Sequence, residues 1–249
     1  MPTPAPRKID VYLLPTLVEP EELAGRTCVV IDVLRATTTI VHALAAGATE
    51  VVPCLEVEDA RRVAAEIGPS ARLGGERAGG KIAGFDLGNS PAEYTPASVR
   101  GRALVFTTTN GTRALARCER SARVLIGAFV NFSAVCGELA SADRIALVCG
   151  GTDGEVTRED ALLAGALVTE LKRSRPAALN DQAEIAADAW QTAVRILTDR
   201  PLGMTLRDSR GGRNLIGIGH ENDIDLAAQI DRFDIVPELD LAAWRIRLP

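Results

Sequence analysis

Short apolar runs alternate with helical patterns along most of this chain, and that rhythm restricts it to βα units around a largely parallel sheet. The expected strands are Ile9–Leu14, Thr27–Asp32, Glu50–Cys54, Ala103–Thr107, Arg123–Gly127 and Arg144–Cys149. The expected helices are Thr38–Ala46, Val57–Ile67, Thr112–Cys118, Phe132–Ala140, Arg158–Ser174, Asp181–Thr198 and Asp223–Ile230. Gly47 and Gly68-Pro69 stop the first two, where the chain must leave the helical region. The fold class that follows is a three-layer α/β/α architecture with a mainly parallel sheet. At 249 residues the chain suits one large domain or two small ones of roughly 100–200 residues. Arg175-Pro176 interrupts two long helical patterns. It divides the chain into an α/β phosphate-binding domain, residues 1–175, and a C-terminal stretch, 176–249, that is a helical portion or a second α/β subdomain packed on the first.

Charge narrows the partners. Twenty-eight basic and 33 acidic residues leave a net charge of −5, which argues against a nucleic-acid or anionic-membrane binder. No uncharged stretch reaches the roughly 18 apolar residues of a membrane span. Met1–Lys8 is Pro-rich without the apolar core of a signal peptide, so the expected location is the cytoplasm. Five cysteines in mostly apolar settings, with no C-x-x-C pair, read as free buried thiols. Two histidines exclude a His-rich metal centre, and His42 sits in an apolar helical segment where packing is the expected role.

Polar residues gather where strands end, the place where ligands bind in open α/β sheets. Asp32 closes a strand and is followed by Val33-Leu34-Arg35-Ala36-Thr37-Thr38-Thr39. This suits a metal-bound phosphate, with the acid on the cation and Arg35 and backbone N–H groups on the anion. It equally suits a capped helix start whose aspartate accepts a turn hydrogen bond. Thr107-Thr108-Thr109-Asn110-Gly111-Thr112 offers four hydroxyls, an amide and a flexible glycine, more than a capped turn uses, and so points to anion binding. No Lys follows Gly111, so it is not a Walker A loop. Gly150-Gly151-Thr152-Asp153-Gly154 holds the same place after the last strand, with glycines for close backbone approach and Asp153 as a metal ligand. Thr157-Arg158-Glu159-Asp160 fits the capping pattern, which makes Asp160 a cap.

Between Gly74 and Gly101 the rhythm breaks into a glycine-rich stretch carrying Glu76, Arg77, Lys81, Asp86 and Asn89. A loop of this length inside a domain is commonly functional. Its glycine pairs suit a lid that presents Arg77 and Lys81 to a polyanionic substrate. A second glycine-hinged basic turn, Asp208-Ser209-Arg210-Gly211-Gly212-Arg213-Asn214, follows in the last third.

Familiar phosphatase signatures are absent. A cysteine nucleophile needs C-x₅-R, but the sixth residue after Cys149 is Glu155; a D-x-D aspartyl enzyme needs Asp where Leu34 stands; neither histidine has an R-H-G setting. What remains is an ordered set: Val30–Thr39, Gly75-Glu76-Arg77, Gly84-Phe85-Asp86-Leu87-Gly88-Asn89-Ser90-Pro91, Thr107–Thr112 and Gly151-Thr152-Asp153-Gly154. Together they resemble the 2-phosphosulfolactate phosphatase family, from about Asp10 to Leu239. The resemblance implies a Mg²⁺-dependent hydrolase that converts 2-phospho-3-sulfolactate to sulfolactate and phosphate, a step that in methanogens belongs to coenzyme M biosynthesis. On that expectation Asp32 and Asp153 anchor Mg²⁺, Glu76 acts as general base or orients water, and Arg35 holds phosphate. Arg77, Lys81, Asp86, Asn89, Thr107–Thr112, Gly150 and Gly151 bind a small anionic phosphorylated hydroxy acid. A homodimer is a further expectation. Two other classes stand beside the hydrolase: an isomerase or lyase acting on a phosphorylated hydroxy acid, and a non-catalytic anion-binding module.

Overall fold

Successive residues of a strand face opposite sides of its sheet, and burial in this chain follows that alternation. Ile9, Val11, Val29, Ile31, Leu125, Ile145, Leu147 and Cys149 share one core, while Cys28, Val30, Val124, Ile126, Ala146 and Val148 belong to another on the opposite face. The computed structural model describes residues 7–197 and 201–249. Met1–Pro6 and Thr198, the last residue of one expected helix, lie outside them.

The strands are β1 (Arg7–Tyr12), β2 (Thr27–Ile31), β3 (Glu50–Pro53), β4 (Ala71–Arg77), β5 (Gly80–Lys81), β6 (Ala103–Thr107), β7 (Arg123–Gly127), β8 (Arg144–Cys149), β9 (Ala177–Leu179), β10 (Glu238–Asp240) and β11 (Arg245–Arg247). The helices are α1 (Ala36–Ala45), α2 (Val57–Ile67), α3 (Pro96–Val99), α4 (Gly111–Arg117), α5 (Phe132–Leu139), α6 (Arg158–Ser174), α7 (Asp181–Leu197), α8 (Leu202–Arg207), α9 (Arg210–Gly217) and α10 (Glu221–Ala227). Strand order is β5-β4-β6-β3-β11-β10-β7-β2-β8-β1-β9. Two parallel groups, β4-β6-β3 and β7-β2-β8-β1-β9, are joined by the antiparallel β10–β11 hairpin. Helices α5 to α10 cover one face, and α1 and α4 fill the other. The architecture is the expected α/β one.

Every residue of α1 from Ala36 to Leu44 is buried, and its three threonine hydroxyls donate to the main-chain oxygens of Asp32, Val33 and Asn89. The sheet curls about it. In a flat sheet β6 and β2, five positions apart, would stand ~24 Å from one another at the usual strand spacing. Yet a Cβ on Gly111, just past β6, would lie 2.5 Å from Ala36 Cβ and 2.9 Å from Asp32 Oδ2, just past β2.

One expectation changes. The Gly74–Gly101 stretch is not a free loop, because Ala71–Arg77 is a strand paired in parallel with β6 and hairpinned to Gly80–Lys81. Its glycines permit close approach: a Cβ at Gly74 would lie 2.4 Å from the Tyr94 hydroxyl. Among the residues from 176 onward, β9 extends the sheet edge beside β1 and β10–β11 lie at its middle.

His42, as expected, packs: it is buried in α1 with its ring edge-on to Phe233, centroids 4.9 Å apart. Burial, with Arg232 nearby, lowers its pKa to about 4 from the ordinary 6.5. The folded state therefore refuses a proton that the unfolded chain accepts, so stability is lost as pH falls from 6.5 towards 4. His42→Leu is expected to lose less stability than the parent over that window, measured by urea unfolding at successive pH values.

Candidate active site

The loops that leave β2, β4, β6 and β8 meet beneath α9 around a cleft of about 480 Å³. Asp32, Arg35, Glu76, Asn89, Thr109, Asn110 and Asp153 line it. These residues come from both parallel groups of strands, so the sheet's curvature around α1 is what unites them.

Asp32 is buried at the end of β2, its Oδ1 accepting from the Ala36 amide at 3.2 Å. Backbone crowds its other side: a Cβ on Gly111 or Gly150 would fall 2.9 or 3.2 Å from Oδ2. Burial, with the charges of Glu76 and Glu159, raises its pKa to about 7. Asp160 is also buried, and burial with the Asp32 and Glu159 charges holds its carboxyl well above the usual range. It does not cap its helix as expected; Oδ1 accepts from Val33 N at 2.8 Å and Oδ2 from Gly151 N at 3.0 Å, tying the loops after β2 and β8 together. Glu159 is raised too by burial, and its Oε2 is buried without a partner.

Glu76 receives two backbone donors, Thr109 N at 2.7 Å and Gly79 N at 2.8 Å. Each oxygen keeps a further lone-pair position for water or a cation. Arg35 is buried, with Nη1 2.7 Å from Asp223 Oδ2 and Nη2 donating to Gly79 O at 2.7 Å. Asp223 Oδ1 also accepts from Ser90. Asp153 sits on the exposed rim with Oδ2 3.7 Å from Arg210 Nη2.

Other expected residues stand behind the cleft or away from it. Arg77 donates to Leu55 O at 2.8 Å and to Thr107 Oγ1 at 2.9 Å, and Lys81 is exposed on its hairpin. Asp86 accepts from Leu73 N at 2.8 Å. Of the threonine hydroxyls, Thr107 meets Arg77 and Leu55 O, while Thr108 and Thr112 bond within their own turn. Thr109 alone of the four is left with a buried, unpartnered hydroxyl. Gly111 and Gly150 shape the pocket around Asp32, and Gly151 N is held by Asp160.

Helix α9 supplies what sequence reasoning left unplaced: Gly211, Arg213, Asn214 and Ile218, at or just past it, line the cleft. The signal was the glycine-hinged basic turn Asp208–Asn214. Ser209 caps the helix by accepting from Gly212 N at 3.0 Å.

Among the described residues no three His, Cys, Asp or Glu side chains are grouped to hold a metal. Cys149 is fully buried in the core, and burial pushes its thiol well above the ordinary value. A buried, protonated thiol is a poor nucleophile. Cys149→Ser is expected to keep most of any phosphate release, measured by steady-state assay alongside the parent.

A model of the 2-phosphosulpholactate phosphatase family matches residues 12–241. A relative from Symbiobacterium thermophilum named a probable 2-phosphosulfolactate phosphatase is 43% identical over 221 residues, covering 87% of this chain and 92% of its own. Relatives with the same name from Pseudothermotoga lettingae and Thermotoga maritima are 40% and 41% identical, each covering more than nine-tenths of both chains. No helix among the described residues is long and apolar enough to cross a membrane. With the model spanning nearly the whole length and the motif loops converging on one cleft, the chain belongs to the 2-phosphosulpholactate phosphatase family.

Proposed function

We propose that this protein is a Mg²⁺-dependent phosphomonoester hydrolase that converts 2-phosphosulfolactate and water to sulfolactate and phosphate. The relatives' names support the substrate. The observation that carries the chemistry is the buried Asp32 carboxylate at a strand's carboxyl end, its pKa raised to about 7 beside Glu76 and Glu159. Such a concentration of buried negative charge suits a cation. Mg²⁺ commonly takes only one or two protein carboxylates, with water and substrate phosphate completing its shell.

Asp32 would hold the ion, with Asp153 at the rim and Glu76 inside as the candidates for a second carboxylate. Bound there, the cation supplies charge neutralisation at the phosphoryl oxygens. Arg35 presents guanidinium N–H groups to the phosphate, its aim set by Asp223 and Gly79 O. Glu76, fixed by Thr109 N and Gly79 N, orients the attacking water and accepts its proton. Burial of these groups keeps their geometry preorganised.

The test is release of inorganic phosphate from 2-phosphosulfolactate by the full chain, abolished by EDTA and restored by Mg²⁺. Consumption of substrate without phosphate release would instead mark an isomerase or lyase, and binding without turnover an anion-binding module.

A further inference from the structure

The two arginines that line the cleft differ in what already holds them. Arg35 is buried and paired with Asp223. Arg213, on α9, donates through Nη1 to the main-chain oxygen of Asp208 and makes no ion pair among the described residues. The other cations near this end of the sheet are engaged or remote: Arg77 on Leu55 O and Thr107, Arg210 on Glu155 and Asp153. Arg213 therefore brings to the cleft a positive charge that forms no ion pair with a carboxylate among the described residues.

Asn89 supplies an independent sign of a ligand. It lines the same cleft, is 5% exposed, and its side-chain Oδ1 is buried with no partner. Buried polar groups in native folds are nearly always paired, so an orphan in a cleft wall marks a place where something else completes the bonding. The same carboxamide carries an Nδ2 group that is not among the buried orphans and can donate N–H to an anion in the cleft. The main-chain oxygen of Asn89 accepts from Thr39 Oγ1 at 2.8 Å, which fixes the residue against α1 while the amide stays available.

We propose that Arg213 and Asn89 form the subsite for a second anionic group on the substrate, its sulfonate or carboxylate, and so set specificity for phosphate esters with a charged tail. This deepens the reading of the cleft as a phosphatase site and rests on it for the ester. The guanidinium supplies charge and paired donors that a tetrahedral sulfonate or planar carboxylate can engage. The carboxamide supplies a neutral donor that does not repel the phosphate. The two residues come from segments far apart in sequence, joined only at the cleft.

The test compares three esters on the full-length protein: 2-phosphosulfolactate, 2-phosphoglycolate and p-nitrophenyl phosphate, which lacks a second anion. Arg213→Ala should raise KM for the first two about tenfold or more while leaving KM for p-nitrophenyl phosphate within about twofold, since a charge-assisted hydrogen bond to ligand is lost only where the tail exists. Arg213→Lys should recover part of the loss. Asn89→Asp should raise KM for the tailed esters more than Asn89→Ala, because it sets a like charge against the tail. A second readout is free of turnover: sulfoacetate, a sulfonate and carboxylate without phosphate, should bind the parent in calorimetry and bind Arg213→Ala about tenfold or more weaker. An equal KM rise for all three esters, or unaltered sulfoacetate binding in both Arg213→Ala and Asn89→Asp, overturns the assignment. Sulfoacetate binding that depends on Arg213, in a protein that releases phosphate from none of the esters, overturns the hydrolase reading and supports the subsite.

Discussion

Asp32→Asn is expected to lower turnover by about 10²–10³-fold, corresponding to ~3–4 kcal/mol of lost transition-state stabilisation, while the melting temperature holds or rises. The two effects separate because the carboxylate does opposite things in them. For binding a cation its charge is essential. For folding that charge is a burden, since burial and the neighbouring Glu76 and Glu159 already push its pKa to about 7. Asn keeps the shape and can still accept from the Ala36 amide through its oxygen. Steady-state phosphate release and thermal melts on the same preparations check both halves. A variant with near-parent turnover at saturating Mg²⁺ removes Asp32 from the cation site.

Gly75→Ala is expected to destabilise the fold strongly for a single added methyl. A Cβ there would stand 1.9 Å from the Thr107 carbonyl oxygen, with the backbone at φ +138°. The obstacle is the β6 main chain, which cannot swing aside as a side chain can. Overpacking with backbone strain costs about 2–4 kcal/mol, or a fall of roughly 5–15 °C in melting temperature for a chain of this size. Gly68→Ala isolates the strain: φ is +80° there, but nothing lies within 4 Å. It should cost markedly less, and equal losses in scanning calorimetry would mean that the contact with Thr107 carries no weight. Gly75→Ala should also depress turnover, because Glu76 follows directly and its carboxylate holds Thr109 N across the same pair of strands.

The six strands written as continuous apolar runs were legible because a strand buried on both faces needs apolar side chains at every position. β4 was not, since Ala71-Arg72-Leu73-Gly74-Gly75-Glu76-Arg77 has the composition of a loop. Its glycines answer contacts with Tyr94 and Thr107, which only the assembled fold reveals. The hairpin strands β10 and β11, three residues each, are too short to carry a period. At the site, Asp32, Arg35, Glu76, Asn89, Thr109, Asn110 and Asp153 stood out as polar residues just past strands or within the glycine-rich motif, and all line the cleft. The two basic candidates of the glycine-rich stretch do not, because Arg77 turns to Leu55 and Thr107 and Lys81 to solvent. No pattern of spacing foretells which way a long side chain will turn. The basic turn before α9 was visible as composition, but its place over the cleft depends on packing between helices distant in sequence.

The position of the β10–β11 hairpin gives the cleft an order of assembly. Asp32 rises from the parallel group that contains β2, and Glu76 from the group that contains β4. The strands that bridge those groups, Glu238–Asp240 and Arg245–Arg247, are encoded more than 160 residues after Glu76. A chain emerging from the ribosome therefore carries both carboxylates long before the strands that join their scaffolds exist. Contacts so remote in sequence form late, since the entropy of closing the intervening loop must be met first. Either group can form its own strands early, but a nascent chain lacking the hairpin holds the two carboxylates without the bridge between them. Competence for binding thus waits on strands translated more than 160 residues after Glu76, although none of those bridging residues lines the cleft.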